Sequence, residues 1–148
     1  MPVHVTIKTD VSDLRKLLNI LAHAERYEIP AAIKKTTKNI ERDAKKAIRT
    51  GSRSGRKYSN QPNRSSAPGE APKSQTGFLA NSISSRFTHN PKSGSTLGVV
   101  GSTTPRGLWL EFGAHRRRGG YLAPRPWLRP ALEKNIPLLT QDLINRLK

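Results

Sequence analysis

Cysteine is absent from the 148 residues, which excludes disulfides, thiol catalysis and cysteine-held zinc or iron–sulfur centres, and leaves no redox function to assign. Aromatic side chains make up 5% of the chain, too few for a platform that stacks single-stranded nucleic acid. No apolar run approaches the roughly 18 residues of a membrane span, and no basic-then-apolar leader opens the chain. The expectation is a soluble protein made in a cytosol, with no membrane partner. Acids are scarce too: 10 Asp and Glu stand against 27 Lys and Arg, for a net charge of +17. The length fits one domain over residues 1–148, and a multidomain enzyme is not expected. Hydrophobic residues reach only 34%, beside 11 Gly and 11 Pro, so part of the chain is expected to fold and part is not.

The positive charge is regional. Residues 44–132 hold 16 basic side chains and two acids, Glu70 and Glu111, so +14 of the +17 lies there, while both ends are nearly balanced. Such a field favours an anionic partner, either nucleic-acid phosphate or an acidic protein surface, and does not choose between them.

Val3, Val5 and Ile7 alternate with His4, Thr6 and Lys8, the period of a half-buried strand, and Asp10 or Ser12 can cap a following helix. Leu14, Leu17, Leu18 and Leu21 recur at helical spacing. The stripe resumes through Ile33, Ile40, Ala44 and Ile48 to Gly51, giving either two helices or one long helix bent near Pro30. Glu41 and Lys45 are placed to pair on its surface. From Gly51 to Thr76 there is no Leu, Ile, Val, Met, Phe or Trp, which predicts a mobile basic arm that reaches up to about 85 Å if extended. Leu79, Ile83 and Phe87 lie on one alternating face, Asn90, Pro91 and Gly94 supply a turn, and Leu97, Val99 and Val100 return, which reads as a β-hairpin. Leu108, Trp109 and Phe112 fit a short helical turn between Pro105 and Gly113. A second mobile basic loop is expected at about 114–123, and a final helix runs from Leu128 to Leu147, where Pro137 either kinks or restarts it. The expected fold is α+β: a small antiparallel sheet, made of the N-terminal strand and the central hairpin, packed against a long N-terminal helical segment and a C-terminal helix, with long basic loops.

Candidates for chemistry are thin. No two of His4, His23, His89 and His115 are three or four apart, so no metal-binding helix face is expected. Gly51-Ser52-Arg53-Ser54-Gly55 has Arg53 where a nucleophile elbow needs serine, and no Gly-Lys-Ser or Gly-Lys-Thr phosphate loop is present. Glu111, between Leu110 and Phe112, reads as a cap or a structural ion pair. A metal-dependent nuclease needs clustered carboxylates, which residues 44–132 lack. No catalytic residue, metal or cofactor is expected.

Three segments, in order, carry a resemblance: Ser66-Ala67-Pro68-Gly69-Glu70-Ala71-Pro72 with Thr76-Gly77-Phe78-Leu79 and Ser82-Ile83; Leu108-Trp109-Leu110-Glu111-Phe112-Gly113; and Ala123-Pro124-Arg125-Pro126-Trp127-Leu128-Arg129-Pro130-Ala131-Leu132. Together they resemble the tail-completion, or neck, proteins of long-tailed double-stranded DNA bacteriophages. The likeness covers roughly residues 30 to 140 and rests on the order of the motifs. It departs from the family pattern at Arg106 or Gly107, where a tyrosine is usual, and at Trp127, where phenylalanine is.

The resemblance implies a ring of six or twelve copies at the head–tail junction, touching connector and tail-tube proteins around the DNA path, in the virion after assembly in the host cytoplasm. Trp109, Phe112 and Trp127 are then expected to pack the short turn against the final helix, with Glu111 pairing Arg125 or Arg129. Surfaces expected to meet copies or neck partners are Arg53, Arg56, Tyr58, Arg64, Pro68, Glu70, Glu111, Arg125, Trp127 and Arg129. Arg116, Arg117 and Arg118 are expected to face DNA or an acidic partner. The alternative is a small nonspecific nucleic-acid-binding protein.

Overall fold

The computed structural model describes residues 12–117 and 119–147. The strand expected at residues 3–7 and Arg118 lie outside the described residues. The fold is α+β. Helix α1 (Ser12–His23), a π-helical turn (Ala24–Glu28) and α2 (Ile29–Thr50) run on without a break. Proline at position 30 has no N–H to donate and its ring crowds the carbonyl four residues back, and the wider π turn lies immediately before it. The two readings left open for this stretch thus resolve to one long helix, irregular at that point.

After α2 the chain takes an irregular path to α3 (Phe78–Ser82), then strands β1 (Ile83–His89) and β2 (Thr96–Ser102), helix α4 (Pro105–Phe112), the two-residue strands β3 (Ala114–His115) and β4 (Tyr121–Leu122), and α5 (Arg129–Arg146). The antiparallel register pairs Ile83 with Ser102, Ser85 with Val100 and Phe87 with Gly98. That face lies on α2, where a Cβ on Gly98 would sit 2.0 Å from the Thr37 hydroxyl oxygen. Glycine is what lets the hairpin approach the helix so closely. On the opposite face Leu97 and Val99 are exposed.

Helix α5 lies antiparallel to α2, and charged ties mark the register. Lys134 and Asn135 both donate to Asp43, Lys35 donates to Asp142, and Arg146 reaches Glu28 at 2.9 Å. Pro137 sits inside α5, which continues through it. The core is small: Ile40, Ala44 and Ile48 of α2 meet Ala80, Ile83, Trp127 and Ala131, with Leu79, Val100, Leu110 and Leu128 packed around them. Among the described residues no helix is long and apolar enough to cross a membrane.

Several expectations change. Leu79 belongs to the helical turn α3, and the strand starts only at Ile83. The basic loop at 114–123 contains a small hairpin, with Ala114 paired to Leu122 and His115 to Tyr121. Trp109 and Phe112 do not pack inward with Trp127: they are 50% and 60% exposed, against 2% for Trp127. Helix α4 turns Leu110 and Gly107 inward and Leu108, Trp109 and Phe112 outward, a choice made by tertiary packing and not by local periodicity.

Candidate functional site

The site is built where the three motif segments meet. The Glu111 carboxylate, at the end of α4, accepts the backbone N–H groups of Trp127 and Leu128 on one oxygen and of Arg129 on the other, at 2.8, 2.9 and 2.9 Å. These are donors at the start of α5 that have no partner inside the helix, and the helix dipole favours a negative charge there. Glu111 is therefore a cap, the first of the two roles open to it. Its carboxylate is satisfied by backbone, and the expected pairing with the Arg125 or Arg129 guanidinium does not form.

Beneath the cap, the Trp127 indole N–H donates to the Gly107 carbonyl at 3.0 Å. A Cβ on Gly107 would lie 2.5 Å from that of Ser102 and 3.3 Å from the Trp127 ring, so α4 seats on β2 only through glycine. The Arg125 backbone N–H donates to the Leu110 carbonyl, and its side chain donates to the Ser66 carbonyl at 3.1 Å and the Ala123 carbonyl at 3.3 Å. Gly69 N–H donates to the Pro124 carbonyl at 2.8 Å, which fastens the first motif segment to the third.

The segment at 51–76 is irregular, as its composition predicts, but it folds back on its own chain instead of extending away. The Gly55 N–H donates to the Ser65 carbonyl and the Ser65 N–H to the Arg56 carbonyl across a loop. Glu70 accepts from the Ser54 hydroxyl and the Ala67 N–H, and the Ser54 and Ser52 hydroxyls hold its carboxyl below the usual range. The returning strand then serves α2: Ser74 N–H donates to the Ile48 carbonyl and the Lys73 ammonium to that of Arg49. Those carbonyls end the helix without intrahelical donors, which is why a segment with almost no apolar side chains still finds a fixed seat.

Between this segment and α4 lies a cleft of about 430 Å³. Its floor includes the buried Ile48 and Pro72 with Leu79, Leu110 and Leu122, and its edge carries the exposed Tyr58, Phe78 and Trp109. Lys73, Arg106, Arg116 and Arg125 line it, and among the described residues no acid does. Ser66, 1% exposed, also lines it, and its hydroxyl has no hydrogen-bond partner.

The remaining expected interface residues scatter. Arg53, Arg64 and Pro68 are exposed, and the Arg56 guanidinium lies over the Tyr58 ring, 5.8 Å from its centre. Arg116 and Arg117 are exposed on a turn closed by Arg116 N–H to the Gly120 carbonyl, and Arg129 is exposed beside the cap. Trp127, Glu111, Glu70 and Arg125, by contrast, direct their side chains into the chain's own fold.

Most acids are held by cations near the chain ends. The Lys45 ammonium, then the Ser85 hydroxyl, lowers the Glu41 carboxyl to about 2. Lys134 lowers Asp43, Arg146 lowers Asp142, and Asp142 in turn raises Arg146. Of the described cations in 44–132, Lys45 alone has a carboxylate partner, so the central charge is uncompensated. Among the described residues no three His, Asp or Glu side chains gather as a metal site.

Phe78, one position before the expected hairpin, had no role in the sequence pattern; it opens α3 and lines the cleft. Asn135, buried at the α2–α5 seam, had one signal: an amide at helical spacing from Ala131 and Leu139. Comparison of the chain with protein-family models, curated proteins and solved structures finds no match.

Proposed function

We propose that the chain is a non-catalytic structural virion protein of a tailed bacteriophage, assembling as a ring of six or twelve copies at the head–tail junction and joining connector to tail tube around the DNA path. One observation carries the reading furthest. The three segments that resemble the neck proteins, up to sixty positions apart, are bonded to one another through Ser66, Gly69, Leu110, Glu111, Pro124, Arg125 and the start of α5. The first and second segments each bond the third, so the residues that carry the resemblance form one architectural unit, which supports the reading. The uncovered apolar surface supports assembly: Leu14, Leu17, Leu18 and Leu21 on α1, and Leu108, Trp109 and Phe112 on α4, are all at least half exposed.

The test is the composition of purified particles. Quantitative mass spectrometry should find the chain at six or twelve copies per virion, and a particle lacking it should accumulate unjoined heads and tails. Absence from the virion sinks the reading. A monomer before assembly does not.

The uncompensated central charge favours a second reading, a nonspecific nucleic-acid binder. That reading requires the isolated chain to bind duplex DNA at low salt with affinity that falls steeply as salt rises, whereas the ring reading needs no such affinity.

A further inference from the structure

We propose that the cleft between the returning 51–76 segment and α4 is a docking site for an acidic polypeptide segment that carries an apolar anchor side chain. The inference goes beyond the ring reading and does not depend on it. Charge and lining point to this occupant. The Arg106 and Arg116 guanidiniums stand exposed at the cleft and make no side-chain hydrogen bond or ion pair, while Arg125 and Lys73 are taken up by backbone carbonyls. Two open guanidiniums, with no acid among the described lining residues, make a seat for carboxylates, which a guanidinium binds through two parallel N–H donors.

Between those cations the surface is mixed, with apolar and aromatic side chains beside Gln61, Ser66, Ser74, Gln75 and Thr76. Tyr58, Phe78 and Trp109 border an apolar floor of Ile48, Leu79 and Leu110. Three of the chain's eight aromatic side chains thus open on one cavity, and its 430 Å³ suits a few side chains, within the range of cavities that bury small ligands. A duplex meets its partners through a convex row of phosphates and has nothing to place on that floor. A single strand needs successive stacking surfaces along a charged track, whereas these rings share one cavity. A polypeptide that alternates carboxylates with a leucine or phenylalanine satisfies both halves, with the anchor filling the floor and the carboxylates reaching Arg106 and Arg116.

Trp109 reports on the site, because it is half exposed there while Trp127, the other tryptophan, is buried. The full chain is titrated with acetyl-Asp-Glu-Leu-Phe-Glu-amide, with its neutral counterpart acetyl-Asn-Gln-Leu-Phe-Gln-amide, and with an eight-residue oligothymidylate. The expected result is a saturable change in tryptophan emission with the acidic peptide, lost in Trp109→Phe. Binding should weaken about tenfold or more in Arg106→Gln with Arg116→Gln, and by a similar factor for the neutral peptide. Far-ultraviolet circular dichroism checks that the variants remain folded. Failure of the acidic peptide to bind, equal affinity for the neutral peptide, or no effect of the arginine changes overturns the proposal. Tighter binding of the oligothymidylate, weakened by the same changes, overturns it in favour of a nucleotide site. None of these readings measures assembly, so the outcome is separate from that of the ring reading.

Discussion

Glu111 divides its carboxylate between three backbone amides at the start of α5, and the stability of that helix end rests on one side chain. Glu111→Ala should destabilise the chain by about 3 kcal/mol in urea unfolding, because three donors lose a charged acceptor, while Glu111→Gln, which keeps one neutral oxygen, should lose less. A cap of this kind was legible as an acid with apolar neighbours, but its partners lie sixteen to eighteen residues ahead, where no local pattern points. Glu41 gives a prediction in pH. Its carboxyl titrates at about 2 instead of 4.5, so the unfolded chain takes up the proton first as acid is added. The stabilisation is whole above about pH 4.5 and is lost as pH falls toward 2; Asp43 and Asp142, also lowered, act in the same sense. In urea unfolding across an acid series, the gap between the natural chain and Glu41→Gln should stay constant from neutral pH down to about 4.5 and close below it.

At the scale of elements, the hairpin and α2 meet at Gly98, and an added methyl must displace Thr37, whose hydroxyl donates to the Ile33 carbonyl at 2.7 Å. Gly98→Ala should cost about 1–3 kcal/mol, read as a lowered thermal midpoint. Helix α1 predicts the reverse. Its leucines are exposed and belong to no core cluster among the described residues, so changing Leu14, Leu17 and Leu21 together to serine should leave the midpoint of the core unchanged and, under the proposed neck role, reduce the joining of heads to tails. Hairpin, long helix and final helix were readable because alternation and helical spacing follow from which face is buried. Trp109 and Phe112 were not, since α4 is eight residues long and has room for only one inward face, and Gly107 with Leu110 occupies it.

Across the whole molecule, the net charge of +17 divides into balanced ends, tied acid to base, and a middle whose cations mostly find carbonyls or solvent. Composition revealed that division, but not that the 51–76 segment lies against its own subunit, because its seat consists of backbone carbonyls at the end of α2 and not of apolar surface. Deleting Ser52 to Asn63 removes Gly55 and Arg56, which bond Ser65 across the loop, while sparing the stretch at Lys73 and Ser74 that serves α2. Under the proposed neck role the expected outcome is a folded chain that no longer joins heads to tails, checked by circular dichroism and by electron microscopy of particles; normally joined particles would show the segment to be dispensable.

The three charged ties that α5 makes with α2 and the π turn also have a mechanical meaning. Asp43 with Lys134, Lys35 with Asp142 and Glu28 with Arg146 fasten two antiparallel helices at spaced points, so a slip of one turn would break all of them at once. A pull along α1 enters this pair as shear and arrives first at the π turn, whose hydrogen bonds are already respaced before Pro30. Under load the chain should yield there, with α1 peeling away as a strap while the bolted pair behind it holds its length.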